Sequence, residues 1–372
     1  MYFPTFLMAI LMASAINASA IQQRQEEEVP QCDEAPPSEE FVEYSKALQH
    51  NTSSLETRQA QKHYNFRVYA HVVYSEKNSQ GGYVSEENVK KDIDLLNKRY
   101  SRAGISFTHA ETDYLQNRAW AHSNDPAMKK KLRRGGYADL NLYYVAKIPG
   151  KLISGGPIGG HCTYPIVPRG NSLTVQQGTM ERDGCVMIAT SVPGGSSWSG
   201  LSPLTTHEVG HWLGLRHTFE GNCKDGDTID DTFPQEKPTG RCENQPKLPD
   251  GRPGAYACGG LHPSNMLNFM DYSSCRSEFT LGQEQRMRQW ADSRQKLGGS
   301  PTADQKPKPP ANPKPKPKPN PNPPTPKPPS NSGESKVWGQ CGGRDWKGPT
   351  ACSKGLVCKH FGVWYSQCVP AA

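Results

Sequence analysis

The chain has 372 residues, 21% of them charged, and a formal net charge of +7, which allows one large domain with appendages or two ordinary domains. Seven lysines between residues 301 and 336 face only Asp304 and Glu334. Most of the excess charge therefore lies in one low-complexity stretch, and no nucleic-acid partner is expected. Eleven cysteines point to an oxidising compartment, and their odd number leaves one without an intrachain partner.

In chain order, the apolar run TFLMAILMASAI is followed by Ala18-Ser19-Ala20, an A-x-A cleavage pattern, although Met1–Pro4 carries no Lys or Arg. The run is far shorter than the ~20 residues of a membrane span, so residues 1–20 read as a secretory signal. No later segment is long and apolar enough to span a bilayer, and the predicted location is extracellular. Residues 21–60 form a polar, acidic leader (QQRQEEEVPQCDEAPPSEE) with a glycosylation sequon at Asn51; its composition predicts a poor core-former. FRVYAHVVY (66–74) has the β-branched and aromatic content of a strand. SEENVKKDIDLLNKRYSRAG (85–104) places Val89, Ile93, Leu95, Leu96 and Tyr100 at helical spacing, with Glu86 and Glu87 in the first turn and Gly104 closing. ISFTHAETDYL and LNLYYVAKI are further strands, and MKKKLRRGG (128–136) reads as the solvated end of a short helix. The alternation predicts an α/β fold with a mixed sheet.

The stretch 207-HEVGHWLGLRH-217 lies in a helix-compatible segment. Residues four apart share a helical face, so His207 and His211 can address one cation, with Glu208 beside them to hold a water. Gly214 permits a left-handed exit that brings His217 back. Three neutral nitrogen ligands with one open position describe a catalytic zinc site, in which Glu208 acts as the general base. Downstream, Asp225, Asp227, Asp230 and Asp231 crowd one Gly-containing loop. The loop is either a structural calcium site or a solvated acidic turn.

The pattern H-E-x-x-H-x-x-G-x-x-H resembles the metzincin metallopeptidases. The later 265-NMLNFMDYSSC-275, together with 223-CKDGDTIDDT-232 and FTLGQEQRMRQW, resembles their pappalysin branch, particularly its fungal extracellular members, over roughly residues 60–298. The resemblance implies a mixed α/β (α+β) catalytic domain with a backing helix and an active-site helix. It implies Met270 as the methionine turn beneath the metal and Tyr272 as a donor to the oxyanion. It also implies the disulfides Cys223–Cys258 and Cys242–Cys275, and leaves Cys162 with Cys185. The leader resembles a propeptide in which Cys32 could occupy the open metal position, a latency switch. Cys32 lacks the usual flanking Arg and Gly, so an incidental free thiol is the other reading; activation would cut near Arg58.

Residues 301–336, with proline at nearly every second position, favour extended polyproline II. At ~3.1 Å per residue such a spacer could reach on the order of 100 Å, and a spacer implies something folded beyond it. VWGQCGGRDWKGPTACSKGLVCKHFGVWYSQCVP (337–370) is too small to fold without staples. It resembles the fungal family 1 carbohydrate-binding module, a small disulfide-rich β fold. That resemblance implies the disulfides Cys341–Cys358 and Cys352–Cys368 and a sugar-stacking strip of Trp338, Trp364 and Tyr365. Trp346 adds to the aromatic surface, with Gln340 and Gln367 for hydroxyls. Gly362-Val363 stands where the family has Asn-Pro, which removes one polar contact. Cellulose and chitin are both open as ligands.

The reading is a secreted zinc endopeptidase acting on proteins or peptides. Its parts are a signal (1–20), propeptide (21–60), metallopeptidase domain (61–300), linker (301–336) and binding module (337–370), with monomer as the default. The alternatives are a metal-dependent carbohydrate deacetylase and a non-catalytic wall-binding protein.

Overall fold

A computed structural model of the chain describes residues 31–32, 36–50, 62–123, 126–150, 158–168, 174–198, 203–246, 254–260, 262–298, 334–335, 340–342, 348–360 and 366–370. The chain divides into two compact units, Met1–Lys306 and Pro307–Ala372. The principal elements of the first unit are β1 (Gln31–Cys32), α1 (Glu39–His50), β2 (Tyr64–Tyr74), α2 (Glu86–Tyr100), β3 (Ile105–Gln116) and α3 (Pro126–Leu132). They continue with β4 (Leu140–Val145), β5 (Ile158–Cys162), β6 (Cys185–Ile188), α4 (Leu204–Trp212) and α5 (Leu281–Leu297).

Six strands form one mixed sheet in the order β1-β5-β6-β4-β2-β3. The neighbours from β6 to β3 pair in parallel, β5 is antiparallel to β6, and β1 lies parallel to β5. This is the predicted α/β fold. β4 is buried along its whole length, as a parallel strand covered on both faces should be. α2 begins where Ser85 accepts from Asn88 N and buries Val89, Ile93, Leu96 and Tyr100, while Leu95, also read from the periodicity, is only half-buried. Gly104 then turns the chain in a left-handed conformation at φ +65°. α2 backs α4: the Tyr100 hydroxyl donates to Thr206 O at 2.7 Å, and Asp92 accepts from Thr205 Oγ1 at 2.6 Å. Every residue of α4 is buried, which marks a helix enclosed by protein on all sides.

Three expectations need correction. The leader is not a poor core-former throughout. Ser38 caps α1 by accepting from Phe41 N, and Phe41 is buried at 2% exposure against Trp290 and Tyr164. The basic run after Met128 is not simply solvated. Lys129 is buried and donates to the carbonyls of Arg182 and Gly184, and Arg133 pairs with buried Asp183. The spacer does not reach residue 336 unstructured, because Glu334–Ser335 already forms a strand of the second unit.

In that second unit, β7 (Glu334–Ser335) pairs in parallel with β9 (Ala351–Cys352). β8 (Gln340–Gly342), β11 (Ser366–Pro370) and β10 (Leu356–His360) make an antiparallel three-stranded sheet with β11 in the middle. Disulfides join Cys341 to Cys358 and Cys352 to Cys368, staples a fold of this size needs. In the first unit they join Cys162 to Cys185, Cys223 to Cys258 and Cys242 to Cys275. No helix among the described residues is long and apolar enough to cross a membrane.

Candidate active site

His207 and His211 sit one turn apart on α4, and the helix ends at Trp212. Gly214 takes φ +83°, and a Cβ there would run into the Trp290 ring, so the turn needs glycine for conformation and for space. The turn returns His217 to its partners. All three rings are buried, and their Nε2 atoms lie 3.2 Å from one another in every pairing.

Each ring is oriented through its other nitrogen. His207 Nδ1 faces Phe269 O at 2.7 Å, His211 Nδ1 faces Leu215 O at 2.8 Å, and His217 Nδ1 faces Glu220 Oε1 at 2.6 Å. Carbonyl and carboxylate oxygens only accept, so each Nδ1 carries the proton and each Nε2 presents a lone pair. Burial and the neighbouring imidazoles hold His207 and His211 far below the ordinary histidine range, His211 at about 3, which keeps both neutral. Three lone pairs converging across 3.2 Å repel one another unless a cation takes the centre. A tetrahedral zinc with nitrogen ligands at about 2.0–2.1 Å has edges of roughly 3.3–3.4 Å. The donor set and its spacing fit zinc.

Glu208, the residue after His207 on α4, is fully buried. Its carboxylate lies against Gly160 of β5, where an added Cβ would come within 2.5 Å of Oε1. Gly210 does the same for Met270: a Cβ would fall 2.5 Å from the sulfur of this fully buried side chain. Met270 O accepts from Thr218 N at 3.2 Å, and Asn268, which holds Met270 N, exchanges two amide hydrogen bonds with Gln283 of α5. The turn beneath the triad is thereby tied to the capping box of the last helix. The Tyr272 hydroxyl lies 3.0 Å from His217 Nε2, and the ring packs on His217 and Phe219.

The structure thus brings His207, His211, His217, Glu208, Met270 and Tyr272 together. It does not gather the four aspartates. Asp227 is buried and accepts from Ile229 N and Thr232 Oγ1, while Asp231 accepts from Gly282 N. Among the described residues these carboxylates do not come together as a group of three or more close ligand atoms. The Cys32 backbone pairs opposite Gly160. Trp338, Trp346, Trp364, Tyr365 and Arg58 lie outside the described residues, and of Gln340 and Gln367 only the strand pairing is described. Sequence reasoning passed over Gly160, Phe219 and Glu220. A glycine pair inside a strand (158-IGGHC-162) and an acid three residues beyond a ligand histidine were the available signals.

Comparison with known proteins agrees with this geometry. The family described as Pregnancy-associated plasma protein-A, a peptidase family, matches residues 191–292, and the family described as Fungal cellulose binding domain matches residues 337–365. An extracellular metalloprotease of Pyricularia oryzae is 36% identical over 294 residues, covering 76% of this chain and 94% of the relative. Extracellular metalloprotease 1 of Coccidioides posadasii is 38% identical over 261 residues, covering 69% of this chain and 87% of the relative. Among solved structures, mature mirolysin of Tannerella forsythia in complex with a cleaved peptide aligns at 23% identity and TM-score 0.48, covering 64% of this chain and 96% of that chain. With a buried centre of three histidines, two on α4 and one beyond its turn, and relatives matched over nearly their whole length, this chain belongs to the fungal extracellular metalloproteases of the pappalysin branch.

Proposed function

We propose that this metalloprotease is a secreted zinc endopeptidase in which Glu208 is the general base and Tyr272 the oxyanion donor. The observation that carries the reading is the converging Nε2 triangle, with Glu208, the residue after His207 on the same helix, fully buried. Zinc, when bound by His207, His211 and His217, supplies Lewis acidity and makes water acidic enough to deprotonate near neutral pH. Glu208 accepts the proton of the attacking water and later delivers it to the leaving amine. Its backing by β5 holds the carboxylate in one place, which is the positional economy such a base requires. The Tyr272 hydroxyl donates to the oxygen that gains negative charge, and burial excludes competing water from that hydrogen bond. Met270 closes the apolar floor.

The test is digestion of a peptide library by the zinc-loaded, activated enzyme. Glu208→Gln should lower kcat/KM by about 10²–10⁴-fold with zinc still bound. Full activity in that variant would overturn the reading. Tyr272→Phe should lower kcat by about 10²-fold or more with little change in KM.

The C-terminal module, on this reading, binds crystalline cellulose and concentrates the protease on a wall through its tether. Pull-down on cellulose and on chitin distinguishes the two polysaccharides, and retention on neither rejects surface targeting. The leader is read as a latency segment. Support comes from β1, whose Cys32 backbone pairs opposite Gly160, the residue that also backs Glu208. A Cys32→Ala precursor should be active without cleavage, and unchanged latency would leave Cys32 an incidental thiol.

A further inference from the structure

The three ligand histidines are not held alike. His207 and His211 give their Nδ1 protons to main-chain carbonyls, and their common helix fixes the two rings relative to each other. His217 hangs from the turn after Gly214 and has no such frame. Its Nδ1 proton goes to a carboxylate, Glu220 Oε1, at 2.6 Å. The second oxygen of Glu220 accepts from Arg216 Nε at 3.0 Å, and Glu220 N donates to His217 O at 3.0 Å. The carboxylate is therefore gripped on its far side by a guanidinium and tied by backbone to the histidine it serves. Phe219 stacks on the His217 ring with centroids 4.8 Å apart and planes 9° from parallel. One ligand of three thus carries an anionic partner and an aromatic face, and it is the ligand outside the helix.

A carboxylate on Nδ1 does two things that a carbonyl does less strongly. It fixes the tautomer with Nε2 bare, and its charge raises electron density on the ring, which makes Nε2 a better donor to a cation. We propose that Glu220 is a positioning residue of the metal centre, orienting His217 and setting the affinity of the site for zinc. This rests on reading His207, His211 and His217 as the zinc ligands. Arg216 belongs to the same device as the clamp that keeps the Glu220 oxygen aimed at the ring.

The test uses the full chain carrying Glu220→Gln, Glu220→Asp or Glu220→Ala. Zinc affinity is read by competition with a chromophoric chelator, the visible absorption spectrum is recorded after cobalt loading, and the thermal midpoint of the metal-free chain is measured. Glu220→Ala should bind zinc on the order of 10–100-fold more weakly and shift the cobalt bands, both read at a temperature where the metal-free midpoint shows the variant still folded. Glu220→Gln, which keeps an acceptor but loses the charge, should fall between Ala and the parent, and Glu220→Asp should restore part of the affinity. Should the alanine variant fail to fold, the Gln and Asp variants carry the test. Parental zinc affinity and an unaltered cobalt spectrum in the folded variants would overturn the proposal. His217→Ala separates the two levels of the argument. Loss of zinc in that variant with parental binding in the Glu220 variants rejects only the role of Glu220, whereas parental binding in His217→Ala rejects the ligand reading itself.

Discussion

Two glycines carry consequences that their lack of a side chain hides. Gly160 leaves space for the Glu208 carboxylate, and Gly210 leaves space for the Met270 sulfur, each within 2.5 Å of where a Cβ would stand. A methyl group at Gly160 meets the carboxylate of the proposed base rather than a flexible stem. Glu208 is enclosed by protein and has no solvent into which to retreat, so the carboxylate would be displaced within the site. A displacement of about 1 Å in a reacting group costs about 10²-fold in rate. Gly160→Ala should therefore lower kcat by that order with zinc content unchanged, as read by peptide cleavage beside metal analysis. A parental kcat would mean that Glu208 tolerates the intrusion and that the close approach has no catalytic meaning. The same residue shows why parts of the site were illegible. The spacing of His207, Glu208, His211, Gly214 and His217 is a one-dimensional record of a helix and a turn, whereas the contact of Gly160 with Glu208 spans 48 positions. No local pattern encodes it.

At the scale of elements, Asp92 is the joint between the backing helix, the sheet and the active-site helix. It is buried, and its Oδ2 accepts from Tyr144 Oη at 3.0 Å and from Thr205 Oγ1 at 2.6 Å. Burial raises its pKa from 3.8 to about 6, against the opposing effect of the two hydroxyls. The folded chain therefore holds this proton more tightly than the unfolded chain does. The stability it contributes is fully present below the unfolded value near 3.8 and is lost as pH rises through about 6. Asp92→Asn should flatten that part of the pH profile of the thermal midpoint between pH 4 and 7, and an unchanged slope would show that other groups set it. Asp92→Ala should cost about 1–3 kcal/mol by leaving two buried hydroxyls without an acceptor. The elements that meet at this joint were legible because α2 repeats at helical spacing and β2 and β4 are rich in β-branched and aromatic residues. β5 and β6 were not, since IGGHC and CVMI are too short to show a period and are stabilised by strand pairing and the Cys162–Cys185 bond. α3 misled because a run of lysines and arginines looks solvated, and only the fold supplies the carbonyls and Asp183 that engage Lys129 and Arg133.

On the scale of the whole first unit, the acidic leader and the catalytic turn share one aromatic stack. Trp290 of α5 fills the space beside Gly214, and Phe41 of α1 stacks on Trp290 with centroids 5.1 Å apart and planes 12° from parallel. Tyr164 touches Phe41 on one side and the His211 ring on the other. Gln289 adds a hydrogen bond to Leu48 O at 3.1 Å. Composition concealed this, because a single phenylalanine in a charged segment signals nothing until its partner surface exists. The leader is thus attached at two places, through β1 at the edge of the sheet and through α1 behind the metal turn. If latency rests on both, removing either attachment should weaken it by a separate amount. Phe41→Ala takes a buried aromatic from the second attachment, a change that costs about 3–5 kcal/mol in a protein core. On the proposed activation near Arg58, Phe41 leaves with the leader, so that loss would fall on leader docking and not on the catalytic body. The precursor carrying Phe41→Ala should lose its leader faster to added trypsin and show residual activity before cleavage. Once activated, it should match the parent in kcat and KM. Combining it with Cys32→Ala should give more activity before cleavage than either change alone. Parental resistance to trypsin in the Phe41 variant would mean that the β1 pairing alone holds the leader, and the aromatic stack would then be packing without a part in latency.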